Sequence, residues 1–432
     1  MLGIGYSLVL AYVFLAHTRL TELILPGLRL QLVLAICALS VALLSGTIVR
    51  AFNSRVGIGL LLLTIWFYLG VPFSVNRMSS LLSVTEHWLK HWSLFIMVIA
   101  LVNTRRQASR LCTAVALGST VMAVVGLVTV PQENVRLMVS DTSLNDPNLF
   151  GMTLLIGIPL WMAVIADRSR LQLSRLAARF CLIPIFVAIA LTGSRGTLVA
   201  SVIVIGFLMK RFSIGGKASL VFIVSIAVVL GGTFLTEGIL ERYSTVADPD
   251  QMETTASSES RVHLFKQGLI LVATNPVFGV GVSMFAWAEN ILAQSQGHSR
   301  GAWHTAHNMY LEVASEAGIP AFLVYAMILW TIWRTLRRLE KIKPEEHPRA
   351  AQIARMSFWL RVSFLAYCAC GLFLSIGLSH TFVIMVSLPM AFARVVHREM
   401  DQLAQENSEK PEAAVAGELV APVLVRGLRG QA

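Results

Sequence analysis

The chain has 432 residues, 56% of them hydrophobic and 14% charged, with a mean hydropathy of +0.70 and a formal net charge of +11. This composition excludes a soluble globular enzyme and predicts an all-α polytopic membrane protein, since apolar runs of about 17–25 residues cross a bilayer as helices. The basic balance points to Lys and Arg in cytoplasmic loops, and no nucleic-acid partner is expected.

In chain order the apolar segments are 3–18, 30–48, 57–74, 86–102, 111–130, 147–166, 177–193, 196–209, 218–235, 308–333, 357–377 and 379–396, about twelve membrane helices. Met1-Leu2-Gly3-Ile4-Gly5-Tyr6 has no basic n-region and the first charge is Arg19, so the first segment reads as a retained helix, not a cleaved signal peptide. The sixth opens at Asp146-Pro147-Asn148, an N-cap followed by proline at the first helical position. The seventh and eighth nearly touch across Gly193-Ser194-Arg195-Gly196. Thr236–Ala306 is the one large extramembrane piece. Within it a helix is expected, capped by Ser257 or Ser258, with Val262, Phe265, Leu269 and Val272 as its apolar stripe. Asn275-Pro276 ends that helix and Gly279-Val280-Gly281 turns the chain. The implied organisation is a nine-helix region (1–235), an outer loop (236–306), three C-terminal helices (307–397) and a polar, mostly disordered tail (398–432). The five cysteines fall in or beside apolar runs, so neither a disulfide framework nor a metal site is supported.

With a cytoplasmic N-terminus, the cytoplasmic loops, adjoining segment ends and tail carry 24 Lys and Arg against 10 on the other side, with Arg361 deeper inside a segment. That asymmetry sets the orientation and puts both termini in the cytoplasm. Arg136, Asp146, Asn148, Arg195, Arg261 and His307 then all map to the outer face.

Arg195 sits on the shortest connection, between glycines that allow close backbone approach, and its planar fork suits phosphate. The plain alternative is an arginine snorkelling from a helix end. Arg261 falls in the first turn of the expected loop helix, where free N–H groups also favour an anion; a solvated loop charge is the alternative. His307 has an ordinary pKa of about 6.5, so its neutral ring is available as a general base. Asn308 could orient a substrate or the imidazole. Glu312 and Glu316 share one helix face and could tune His307 or line a wet cavity. Pro320 is expected to kink this helix through a clash with the carbonyl of residue 316. Two arginines and a histidine on the outer face, without a nucleotide motif, fit an activated donor carried on a lipid diphosphate. The arginines would neutralise the leaving group while the histidine deprotonates an acceptor hydroxyl.

Three stretches resemble the O-antigen ligase and polymerase superfamily of bacterial envelope glycan assembly: Leu191-Thr192-Gly193-Ser194-Arg195-Gly196, Arg261 through Pro276-Val277-Phe278-Gly279-Val280-Gly281, and His307-Asn308 followed by Gly318-Ile319-Pro320. Asn145-Asp146-Pro147-Asn148 and Pro159-Leu160 are similar too. The resemblance implies a GT-C-like fold in the inner membrane with a periplasmic catalytic loop. It implies metal-independent, inverting glycosyl transfer from an undecaprenyl diphosphate-linked glycan, with no cofactor. Arg195 and Arg261 would bind diphosphate and His307 would activate the acceptor, with Asn308, Glu312, Arg136 and Asn148 in support. The acceptor would be lipid A-core in a ligase, a second lipid-linked glycan in an O-antigen or exopolysaccharide polymerase, or a protein hydroxyl in a protein O-oligosaccharyltransferase. Ala321 departs from the usual ligase pattern, yet the segment count and the single long outer loop favour a ligase. A transporter would want charged groups or broken helices near the midplane, of which this chain offers little beyond Glu312, Glu316 and its prolines.

Overall fold

The computed structural model describes residues 2–25, 27–129, 136–139, 142–217, 256–297 and 304–418, with side chains of 256–260 and 407–418 excepted. The described residues are helical, with no strand among them. In chain order the helices are α1 (Leu2–Thr18), α2 (Leu20–Ile24), α3 (Leu30–Leu44), α4 (Arg55–Gly70), α5 (Arg77–Leu82), α6 (Leu89–Leu101), α7 (Arg105–Thr129), α8 (Pro147–Ala166), α9 (Gln172–Leu191) and α10 (Arg195–Arg211). They continue with α11 (Ala256–Thr274), α12 (Phe285–Ser295), α13 (Met309–Leu339), α14 (Ala350–Cys370) and α15 (His380–Glu418). Six helices are long and apolar enough to cross a membrane by length and composition, and α1 and α3 are shorter apolar helices. The expected segment 218–235 and the acidic stretch 247–255 lie outside the described residues.

One buried core runs through the bundle. α8 is its centre, packed against α7, α9, α10 and α14. Its start was local in origin: the Asp146 carboxylate accepts from the backbone N–H groups of Asn148 (2.6 Å) and Leu149 (3.1 Å), with Pro147 behind it.

α13 is kinked as expected in the turn before Pro320, with Gly318 as its non-helical residue. Gly318 adopts φ 81, ψ 172, outside the helical region. The carbonyls released by the break are taken up by other parts of the chain. Ser315 O accepts from Val280 N (2.8 Å), Glu316 O from Gly281 N (2.9 Å) and Ala317 O from Trp66 Nε1 (3.0 Å). Ile319 N returns a bond to Pro276 O at 2.8 Å. The Pro276–Gly281 turn is thus grafted onto the interrupted membrane helix. A Cβ on Gly318 would overlap the Val277 carbonyl, which explains the glycine there.

Two boundaries differ from expectation. The apolar run 357–377 is helical only to Cys370; Gly371–Ser379 is a loop whose Leu372, Phe373, Leu374 and Ile376 imitate helix by hydropathy. Towards the C-terminus, α15 carries the chain as helix through Glu418, where a polar tail was expected from 398. Its residues after 398 are mostly good helix formers, and Glu399 pairs with Arg105 and His347 on the bundle.

Candidate active site

The site is built from four pieces of chain. The first is the α9–α10 turn. Gly193 takes φ 55, and Ser194 caps α10 by accepting from Thr197 N at 3.2 Å. The Ser194 hydroxyl donates to Asn148 Oδ1 (2.7 Å), which also accepts from an Arg136 terminal nitrogen (3.4 Å). Arg136 Nε donates to Thr192 O at 3.0 Å, and Leu137 N to Leu191 O at 3.0 Å. Asn148 and Arg136 therefore brace the turn that presents Arg195. Arg195 is the first residue of α10, an end where the helix dipole disfavours a cation and favours an anion.

The second piece is His304–Asn308. His307 has φ 48, a left-handed conformation that costs about 1–3 kcal/mol for a residue other than glycine. It is held there by its N–H, which donates to Ser375 Oγ at 2.9 Å. Asn308 is the N-cap of α13: its Oδ1 accepts from Tyr310 N and Leu311 N, both at 3.0 Å, and its Nδ2 donates to Leu372 O at 3.4 Å. These bonds commit Asn308 to shaping the chain beside His307.

The third is α11. A Cβ on Gly268 would run into the Leu311 side chain, and Pro276 bonds Ile319. Both pairs have the same sequence separation, so α11 and the start of α13 run side by side in parallel, and Arg261 comes level with His304–His307. α11 begins at Ala256, which puts Arg261 in the second turn, not the first, away from the free helix-end amides. The packed face is Leu264, Gln267, Gly268 and Leu271, whereas Val262, Phe265 and Leu269 of the expected stripe are exposed. The side chains of Ser257 and Ser258 lie outside those described.

The fourth is the Gly371–Ser379 loop, which sequence reasoning missed. Ser375 and Leu372 hold His307 and Asn308, and Gly371 O accepts from Met309 N at 2.7 Å. Phe373 packs on Gly196, next to Arg195: a Cβ added there would meet Phe373 Cβ at 2.9 Å. One loop thus fastens both the histidine and the start of the arginine-bearing helix. The glycines at 371 and 377 and the serine at 375, inside an otherwise apolar run, were the signal available in the sequence.

Electrostatics join these pieces. The His307 pKa is lowered from its ordinary value, first by burial, then by the Arg261 cation, with His304 acting the same way; the Asp146 carboxylate opposes them. His307 therefore lies within electrostatic reach of Arg261 and of Asp146, which caps the helix that carries Asn148. A neutral ring near neutral pH can accept a proton.

Glu312 and Glu316 are used structurally. Glu312 Oε2 accepts from Gly377 N at 2.8 Å, tying α13 to the loop. Buried Glu316 accepts from Ser283 N (2.7 Å) and Phe285 N (3.1 Å) at the start of α12.

At the same end of the bundle is a cavity of about 890 Å³, lined by Arg19, Arg29 and Lys90 together with Glu22 and Glu86, and by Leu28, Leu32 and Ile36. It is joined to the site twice: Glu22 accepts from Ser143 N (2.8 Å) near Asp146, and His91 bonds Leu378 O (3.1 Å) in the loop.

Residues 180–326 match the family model described as O-antigen ligase. The match supports a place for the chain in the O-antigen ligase superfamily. It holds Arg195, Arg261, His307, the Pro276–Gly281 turn and Gly318. Asp146, Asn148 and Ser375 lie outside it and reach the site only through the fold. No curated protein matches the chain. Together with the six helices long and apolar enough to cross a membrane, the match supports a multi-pass membrane protein of the O-antigen ligase/polymerase type.

Proposed function

We propose that the protein is an O-antigen ligase-type glycosyltransferase of the bacterial inner membrane, moving a glycan from undecaprenyl diphosphate to lipid A-core at the periplasmic face. The observation that supports this reading is that one loop, Gly371–Ser379, holds the His307 backbone through Ser375 and packs Phe373 on Gly196 beside Arg195, with Arg261 and Asp146 within electrostatic reach of His307. His307 takes the proton from an acceptor hydroxyl as its oxygen bonds to the sugar C1. The bond from C1 to the diphosphate oxygen breaks, and undecaprenyl diphosphate departs with the electron pair. Arg195 and Arg261 stabilise the charge gathering on that diphosphate. Asp146 favours the imidazolium as it forms. The cavity beside the site, with its mixed charged and apolar lining, offers room for a lipid-borne substrate.

The test is a transfer assay. Purified protein receives undecaprenyl diphosphate-linked glycan with and without lipid A-core, alongside His307→Ala and Arg195→Ala. Product on lipid A-core that disappears in both variants is expected. Longer lipid-linked glycan instead would make the protein a polymerase, the second reading, which the Ala321 departure from the ligase pattern leaves open. No product with any acceptor, from folded protein, would sink the glycosyltransferase reading.

A further inference from the structure

A second cavity, of about 860 Å³, opens at the opposite end of α8, α14 and α15 from His307. α8 has 20 residues, so the two ends are about 30 Å apart. Six arginines line it, Arg105, Arg106, Arg110, Arg170, Arg349 and Arg355, against two carboxylates, Asp167 and Glu399. Those two are already engaged. Arg105 pairs with Glu399, and Arg170 with Asp167 at 3.6 Å. Arg106, Arg110, Arg349 and Arg355 have no carboxylate partner among the described residues, and all four are exposed at the rim.

The membrane charge rule alone would ask only for basic residues on this side. It does not ask for them in a concavity, nor at the wrong ends of helices. α10 and α13 place Lys210, Arg211, Arg337 and Arg338 in their last turns, where the dipole favours cations. α7 and α14 do the reverse. Arg105 and Arg106 start α7, Arg349 is the N-cap of α14 without a side-chain cap bond, and neither first turn holds an acid. The α7 cap is a Thr104–Gln107 box, the neutral form of a motif commonly completed by glutamate. Two positive helix ends and four rim guanidiniums converge on one space, an arrangement that repels itself until an anion of several charges enters.

We propose that this cavity binds clustered phosphate, presented as the headgroup of an anionic membrane lipid or as a soluble diphosphate. Its place, between membrane helices on the side the charge excess assigns to the cytoplasm, is where lipid headgroups are within reach. The site is separate from the His307 chemistry.

Full-length protein in detergent would be titrated with cardiolipin, phosphatidylglycerol, phosphatidylcholine or inorganic pyrophosphate, with retention read by native mass spectrometry and thermal shift. Arg106→Gln, Arg110→Gln and Arg355→Gln would be combined. A matched control would remove Arg337, Arg338 and Lys341, exposed on the same side at the end of α13. Retention of the anionic lipids at least tenfold stronger than phosphatidylcholine, lost in the triple rim variant and kept in the control, is expected. Pyrophosphate binding with the same loss, but without lipid preference, assigns the site to a soluble phosphate. Equal loss in rim variant and control, or no preference among the probes, overturns the proposal. Because the readout is binding, a failed glycan-transfer assay would leave it standing.

Discussion

The two ends of the bundle use arginine in opposite ways. At the His307 end, Arg195 rises from a turn held by Ser194, Asn148 and Arg136 through bonds of 2.7–3.4 Å, and the histidine is fixed by its backbone. At the other end four arginines stand at an exposed rim without carboxylate partners among the described residues. Chemistry at one reacting bond requires groups held to a fraction of an ångström. Attraction of a multiply charged group requires only that the charges share a space. In the two proposals, the same residue type stands on a braced turn where position would matter and at an exposed rim where charge alone would suffice.

Breaking the precise end should have the largest effect. His307→Ala removes the proposed base, and transfer should fall by about 10²–10⁴-fold, measured as initial rates with protein shown to be folded. Gly318→Ala attacks the graft beneath the site. Its φ of 81 and the overlap with the Val277 carbonyl should cost at least about 1–2 kcal/mol, seen as a lower thermal midpoint in detergent. Ser375→Ala removes the acceptor of the His307 N–H. One hydrogen bond is worth about 0.5–1.5 kcal/mol, so kcat should fall by up to about tenfold, with a smaller drop in thermal midpoint than for Gly318→Ala. An unchanged kcat would separate the loop from the chemistry.

The contrast can also be sharpened through pH. Arg261 lowers the His307 pKa and Asp146 raises it. A base works when neutral, so its rate is lost as pH falls through its pKa. Arg261→Gln should move the acidic limb of the rate profile to higher pH, besides weakening donor binding. Asp146→Asn keeps a good N-cap and should move the limb to lower pH. Movement of both limbs in the same direction would contradict the electrostatic reading. The smallest effect is expected at the loose end: Arg355→Lys should leave transfer unchanged.

What could be read in the sequence was what is local. Segment 147–166 coincides with α8 because Asp146-Pro147 is a complete start signal within four residues. Arg195, Asn148 and Arg136 were singled out separately, yet only the fold shows the last two bracing the first. The Gly371–Ser379 loop stayed hidden because hydropathy cannot distinguish an apolar loop packed in a bundle from a continuing helix. The α11 stripe was misjudged for a related reason. Which face packs was decided by Gly268, whose missing side chain admits Leu311, not by the most hydrophobic positions. Glu312 and Glu316 were correctly placed on one face, but their amide partners lie 65 and about 30 residues away.

The Gly371–Ser379 loop also has a consequence in time. Arg195, Arg261 and His307 are all made before the ribosome reaches it, and a nascent chain ending at Cys370 would hold every group proposed for the chemistry. It would lack Ser375 against His307, Gly377 against Glu312 and Phe373 against Gly196. The proposed enzyme is therefore expected to remain silent during its own synthesis until the loop and α15 are in place.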